Sequence, residues 1–272
     1  MKLSIASIQR DRDPWIVEWL AFHMVVGFND FHVYCHKCTD GMEETLRRLG
    51  RHYPVHAYRI ESDDKPQLGA YQHAWNAHGK AVDWMAFLDG DEFLFPTAAP
   101  DMATALAPYA QLDLSALGAY WVCYGSSGHL DEPAGLVMEN YPRHSRPDFR
   151  TNRHMKSIVR GGADIAVTGA HLFTTSRGTY DEHLRPITHP QLLDPALEPT
   201  WDRFRINHYA VQSHAFFVNT KQNIGAVDGN PQLVRPTSWF HEHDRNEMDD
   251  GVSYGFLIRL KLKVRELRAV LG

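Results

Sequence analysis

Along the first ninety residues, short apolar runs recur between segments whose apolar positions fall at helical spacing, the pattern of strands joined by helices. Lys2 to Ile8 is alternating and β-rich, and Asp13-Pro14 marks a helix start with proline in its first turn. From Trp15 onward Ile16, Trp19, Leu20, His23 and Met24 share one helical face. Phe31 to Tyr34 reads as a second strand, Glu43 to Leu49 as a short helix stopped by Gly50, and Val55 to Tyr58 as a third strand. A helix from Lys65 to about His78 then precedes the run Trp84-Met85-Ala86-Phe87-Leu88, which is too short for a stable helix and reads as a buried central strand. Four strands alternating with helices predict a parallel sheet with right-handed crossovers.

Beyond Pro96 the regularity fades. Leu117 to Tyr124 reads as a strand, whereas His129 to Arg160, rich in Pro, Arg, His and Asn, reads as a long loop. Its neighbours Trp121 and Tyr124, with Tyr141 and Phe149 inside it, favour an ordered loop that shapes an acceptor pocket. Phe204 to Tyr209 predicts a late strand, Ser213 to Lys221 a short helix, and Tyr254 to Leu271 an amphipathic helix with a solvated basic face. Trp239 to His243 reads as a flank of the site and not as a second metal centre. No linker interrupts the chain, so residues 1–272 read as one α/β domain, with 1–95 as a nucleotide-binding half and 96–272 as an acceptor-binding half.

Composition narrows the function. The 272 residues are 43% hydrophobic, enough for a full core, and carry a net charge of -5. That balance excludes a general nucleic-acid binder, which needs a basic face. Cys35, Cys38 and Cys123 are too few and too unevenly spaced for a disulfide framework, and Cys35-His36-Lys37-Cys38 lacks the second pair that a zinc site needs. No apolar run approaches the ~20 residues of a membrane span, and Met1 is followed by no signal-peptide core. The expectation is a cytoplasmic protein without an integral membrane segment, at most peripheral to the inner membrane.

The chemistry concentrates where the Trp84 strand ends. Asp89, Asp91 and Glu92 place three carboxylates within four residues, at the carboxyl end of a strand, where open α/β sheets hold their ligands. Hard cations such as Mn²⁺ and Mg²⁺ prefer carboxylate oxygens and keep positions open for substrate phosphates. A bare Asp-x-Asp more often caps a turn; the buried strand before it favours a ligand site.

Further residues line up in order. Arg12-Asp13-Pro14-Trp15-Ile16-Val17-Glu18-Trp19-Leu20, His23, Gly27-Phe28, Phe31-His32-Val33-Tyr34 and Thr39-Asp40-Gly41 open the chain. Gln67, Trp84, Asp89-Gly90-Asp91-Glu92-Phe93, Lys156-Ser157-Ile158-Val159, Asn207-His208-Tyr209, Ser213, Lys221, Asp244-Arg245-Asn246-Glu247 and Asp250 follow. This series resembles glycosyltransferase family 92 and its bacterial relatives, cousins of family 2. The resemblance implies a GT-A fold and a metal-dependent, inverting transfer of a sugar from a nucleotide diphosphate sugar, UDP-linked by default, to a glycan acceptor in surface polysaccharide synthesis.

By the same resemblance Asp91 contacts the metal, Asp89 the metal or the ribose, and His208 is a distant third ligand. Gln67 and Lys221 join the donor site, with Lys221 against the diphosphate, where a cation stabilises the charge that develops on the leaving group. An inverting transfer also needs a base within hydrogen-bond reach of the acceptor hydroxyl; Asp181, Glu182 and Asp250 are the candidates, while His171 and Arg185 are weaker candidates for acceptor contacts, since such residues are cheap to find in a chain with 17 histidines. Two segments depart from the family pattern. Cys35-His36 replaces Asp-Asn, and Arg10-Asp11-Arg12 replaces Lys-Asn-Glu, so Arg10 or Arg12 supplies a phosphate contact or the chain is a degenerate binding module. A nucleotidyltransferase would carry a glycine-rich loop after the first strand, and Ile8-Gln9-Arg10-Asp11-Arg12 contains no glycine.

Overall fold

The computed structural model describes residues 1–188, 198–222 and 234–272. Strands β1 (Leu3–Gln9), β2 (Asp30–His36), β3 (Val55–Ile60) and β4 (Trp84–Phe87) are joined by helices α1 (Asp13–Val25), α2 (Met42–Leu49) and α3 (Pro66–His78). β1 pairs in parallel with β2 and β4, and β2 with β3. The expected strand–helix alternation therefore builds the expected parallel sheet. Every residue of β1 and β2 is buried, as it must be in a parallel sheet covered on both faces.

Two strands were not visible in the sequence pattern. β5 (Glu92–Pro96) follows the acidic turn directly, and β7 (Met155–Arg160) lies inside the stretch expected to be loop. With β6 (Ala116–Cys123) and β8 (Phe204–His208) they extend one sheet in the order β3-β2-β1-β4-β7-β6-β8-β5, and Thr179–Tyr180 adds a short ninth strand beside β6. β7 runs antiparallel between β4 and β6. β8 is parallel to β6 and antiparallel to β5. The result is a mixed, mostly parallel sheet flanked by helices, the architecture expected of a GT-A fold.

Register puts the site together. β5 and β8 pair so that His208 stands opposite Glu92, and the Tyr209 amide donates to the Asp91 carbonyl at 2.9 Å. The Asp89–Asp91 turn is thereby fixed between two strands whose sequences lie more than a hundred residues apart.

α1 is buried on all sides from Ile16 to His23, not along one stripe. The outer side is covered by the terminal helix α4 (Leu257–Leu271), which packs across it through Leu260, Val264 and Leu267. His23 is fully enclosed: its Nδ1 lies 2.8 Å from the Trp19 carbonyl, and its Nε2 accepts the Leu94 amide at 3.2 Å. Burial pushes it down to about 3, so it is a neutral cross-link between α1 and β5. Among the described residues no helix is long and apolar enough to cross a membrane.

Glu18, also on α1, accepts the amides of Val137 at 2.7 Å and Met138 at 3.1 Å. Burial pushes its carboxyl up to about 7 despite these two donors. A raised acid binds its proton more tightly in the folded state. Its contribution to stability is therefore complete below the unfolded value near 4.3 and is lost as pH rises through 7, a swing of about 3 kcal/mol. Urea unfolding is expected to show this decline in the native sequence between pH 4.5 and 8 and a flatter profile in Glu18→Gln. Equal slopes in the two proteins would refute the assignment.

Candidate active site

The carboxyl ends of β4, β6 and β8 and the first turn of α3 converge on the turn between β4 and β5. Asp89 Oδ1 accepts Gln67 Nε2 at 2.6 Å and the Tyr71 hydroxyl at 3.2 Å, while Oδ2 accepts Lys156 Nζ at 2.8 Å. Gln67 and Tyr71 stand one turn apart on α3, four residues being the spacing that brings side chains together on a helix. Lys156 has no exposed side-chain surface and also lies 3.7 Å from Glu92 Oε2. Burial works against its charge, but Asp89 and Glu92 more than offset this and hold it protonated.

Asp91 is the focus of a second group of cations. Its Oδ2 accepts Lys221 Nζ at 2.5 Å and lies 3.7 Å from Arg12 Nη2. Lys221 arrives from the π-helical turn Phe217–Lys221, and the Arg12 guanidinium sits between the Trp15 and Phe216 rings. Although burial opposes ionisation, Lys221, His208 and Arg12 hold the Asp91 carboxyl well below the usual carboxylate range. Burial pushes Glu92 the other way, well above its ordinary value; it has no exposed surface, and one oxygen accepts the Asp89 amide at 2.8 Å.

His208 completes this side. Burial pushes it down to about 3, so the imidazole is neutral. Its Nε2 faces Asp91 Oδ1 at 3.8 Å without a hydrogen bond, and its buried Nδ1 has no partner. Two ligand atoms of one small divalent ion lie about 3–4 Å apart. The Asp91–His208 pair therefore fits a shared cation, whereas Asp89, with three donors on its two oxygens, is the more committed carboxylate. Among the described residues, three ligand-type side chains meet in two places, both outside this crevice: Asp11 with Cys38 and Asp40, and Glu182 with His183 and Asp202.

Trp121 forms the wall opposite α3. Its ring lies 3.9 Å from that of His208, 4.6 Å from His154 and 5.4 Å from His171, centroid to centroid. At the crevice edge, Arg10 is partly exposed with its Nε 3.5 Å from Asp11. Arg12, Gln67, Asp89, Asp91, His208 and Lys221 are thus brought together as expected.

The three acidic residues expected to supply a base lie elsewhere. Asp181 accepts the amides of His183 and Arg185 and the Arg185 side chain. Glu182 accepts the amides of Asp202, Arg203 and Phe204, at the start of β8 and thus about 13 Å of strand from His208. Asp250 binds Arg205, Ser253 and the amides of Val252 and Ser253. Arg205 projects from the face of β8 opposite to His208, because side chains alternate along a strand. Buried carboxylates committed to amides and arginines hold loops in place and offer no free oxygen to a substrate. Arg185 is likewise tied to Asp181. Tyr71, Lys156 and Trp121 were missed as site residues, although a lysine inside the run Met155–Val159 is itself a signal that a buried charge has work to do.

Open α/β sheets hold their ligands in the crevice at the carboxyl ends of their strands, and the cations and carboxylates of this chain gather at that edge. The model of glycosyltransferase family 92 matches residues 2–194, and the chain belongs to that family. It is similar to a family 92 protein of Arabidopsis thaliana, 23% identical over 255 residues, covering 88% of this chain and 43% of that one. A family 92 protein of Oryza sativa subsp. japonica is 24% identical over 247 residues, with 87% and 41% covered. The chain therefore spans less than half the length of these relatives. Among solved structures it is similar to residues 1–349 of S. aureus TarS in complex with UDP, with TM-score 0.39 and 16% identity over 59% of this chain and 47% of that one. Glucosyl-3-phosphoglycerate synthase from Mycobacterium tuberculosis, in complex with Mn²⁺, UDP and phosphoglyceric acid, gives TM-score 0.31 and 12% identity over 44% and 43%.

Proposed function

We propose that this chain transfers a sugar from a nucleotide diphosphate sugar, UDP-linked by default, to a hydroxyl of a glycan, with inversion at the anomeric carbon, in surface polysaccharide synthesis. Asp91 carries this reading: a buried carboxylate that meets Lys221, Arg12 and a neutral histidine in one crevice is suited to hold a diphosphate. Asp91 and His208 would hold a divalent cation, Mn²⁺ or Mg²⁺, with Asp89 beside them on the nucleotide side. Such an ion supplies Lewis-acid stabilisation of the leaving diphosphate. Lys221 and Arg12 face the same charge. Each is paired with Asp91 in the free protein, and an incoming diphosphate offers both a stronger anionic partner. Gln67, Tyr71 and Lys156 keep Asp89 in one orientation, and Arg10 at the rim is free to turn toward a phosphate.

Thermal unfolding against a panel of nucleoside diphosphates, with Mn²⁺ or with a chelator, tests the proposal. A ligand at a hundred times its dissociation constant stabilises by about 2.7 kcal/mol, so a Mn²⁺-dependent rise in melting temperature is expected for one nucleotide, with turnover of its sugar. A shift without turnover would favour a degenerate binding module. No shift with any nucleotide would remove the donor site.

A further inference from the structure

We infer that His171 is the general base of the transfer, an inference that rests on the glycosyltransferase reading above. The carboxylates of the turn between β4 and β5 are committed: Asp89 to Gln67, Tyr71 and Lys156, Asp91 to Lys221, and Glu92 to the Asp89 amide in a fully buried position. Glu132 faces Arg12 on the diphosphate side, whereas His171 lies on the Trp121 side and presents a nitrogen that can take the acceptor proton. Its Nδ1 lies 2.9 Å from the Met155 carbonyl. A carbonyl only accepts, so the proton sits on Nδ1 and the lone pair on Nε2, which makes no hydrogen bond among the described residues.

The main chain that carries the ring is held at two carbonyls. The Ala170 carbonyl accepts Lys156 Nζ at 3.3 Å, and the His171 carbonyl accepts the Ser157 hydroxyl at 2.7 Å. Both donors belong to β7, so the imidazole is anchored to the middle of the sheet. It meets the Trp121 ring edge-on, and the same ring touches His208 on the metal side. His171 and His208 thus share one indole neighbour, which ties the imidazole to the metal side of the crevice. His154, the other histidine against Trp121, has a similar Nδ1 contact to the Thr151 carbonyl. Its charged neighbours are Lys156, His243 and Arg150, all of which disfavour an imidazolium. Burial and then Lys156 push His171 down to about 3 although Asp89 favours its charge, so the ring rests neutral with Nε2 unprotonated.

In the step, the acceptor oxygen bonds to the anomeric carbon as its proton passes to His171 Nε2. The bond from that carbon to the β-phosphate oxygen breaks, and its electron pair leaves with the nucleoside diphosphate, against Lys221 and Arg12. The imidazolium then releases the proton to solvent.

The test uses the full chain with Mn²⁺, UDP-glucose, UDP-galactose and UDP-N-acetylglucosamine, methyl glycosides as acceptors, and UDP release as readout. His171→Ala and His171→Asn are expected to lower kcat by about 10²–10⁴-fold, leaving donor KM and the UDP-induced melting shift unchanged. Free imidazole is expected to restore activity to His171→Ala, which loss of a merely structural contact would not allow. A kcat within tenfold of the native value in both variants overturns the assignment. So does rescue by imidazole of His154→Ala but not of His171→Ala. Absence of UDP release by the unsubstituted chain with every donor overturns the transferase reading, and the base with it.

Discussion

Asp91→Asn is expected to lower sugar-nucleotide turnover by at least about 10²–10³-fold, the loss typical when a preorganised electrostatic contact is removed from an active site. It is also expected to weaken the fold. The native carboxylate lies 2.5 Å from Lys221 and 3.7 Å from Arg12, both largely buried, and removal of one partner from a buried ion pair costs about 3–5 kcal/mol. The pH dependence follows from the lowered Asp91 carboxyl. A depressed acid contributes stability above the unfolded value near 3.9 and loses it as pH falls through the folded one. The gap in urea stability between the native protein and Asp91→Asn should therefore be full at pH 7 and shrink on acidification below pH 4. A variant that turns over donor at the native rate would sink the role given to Asp91.

Lys156→Met should weaken the fold by a similar amount. The ammonium is the nearest cation to both Asp89, at 2.8 Å, and the fully buried Glu92, at 3.7 Å. Its removal leaves a fully buried Glu92 and a partly exposed Asp89 without their shared cation, and up to about 3–5 kcal/mol of stability is expected to be lost at pH 7. The deficit should narrow as the pH falls, because proton uptake by one carboxyl removes the repulsion. A second substitution, Asp89→Asn, is expected to recover part of the loss, since the two residues are in contact and their effects do not add. Urea titrations of the two single variants and the double variant measure this coupling; strict additivity would show that the pair is not a unit.

What could be read in the sequence follows from how each element is buried. β1, β2 and β4 are buried along their whole length, β3 is partly exposed at the sheet edge, and Pro14, Gly41 and Gly50 punctuate them, so short apolar or alternating runs gave them away. β7 was hidden because Lys156 and Ser157 occupy inward positions: the side chains that serve the site break the pattern that marks a strand. β5 begins at Glu92 with no turn signal of its own, the acidic turn before it reading as a ligand site instead. α1 was expected to show one apolar stripe, but a helix 230 residues later in the chain covers its other side, and no local pattern reports that. The donor-side residues were legible through their order along the chain. The base was not, because Asp181, Glu182 and Asp250 have the chemistry of a base in sequence and are spent on main-chain amides in space. His171 is marked by nothing local; its tautomer depends on a carbonyl of β7, sixteen residues earlier.

The pairing of β4 with β7 and of β5 with β8 also bears on how the protein comes into being. A nascent chain that has emerged as far as residue 150 displays Asp89, Asp91 and Glu92 together, yet contains neither Lys156 nor Lys221. Until those two arrive, the acidic turn has Arg12 beside it and β1 next to β4, but neither the two lysines nor the strands β7 and β8. Contacts this distant in sequence form slowly. The crevice is therefore assembled among the last parts of the fold, when the return strands bring the cations that let the carboxylates be buried.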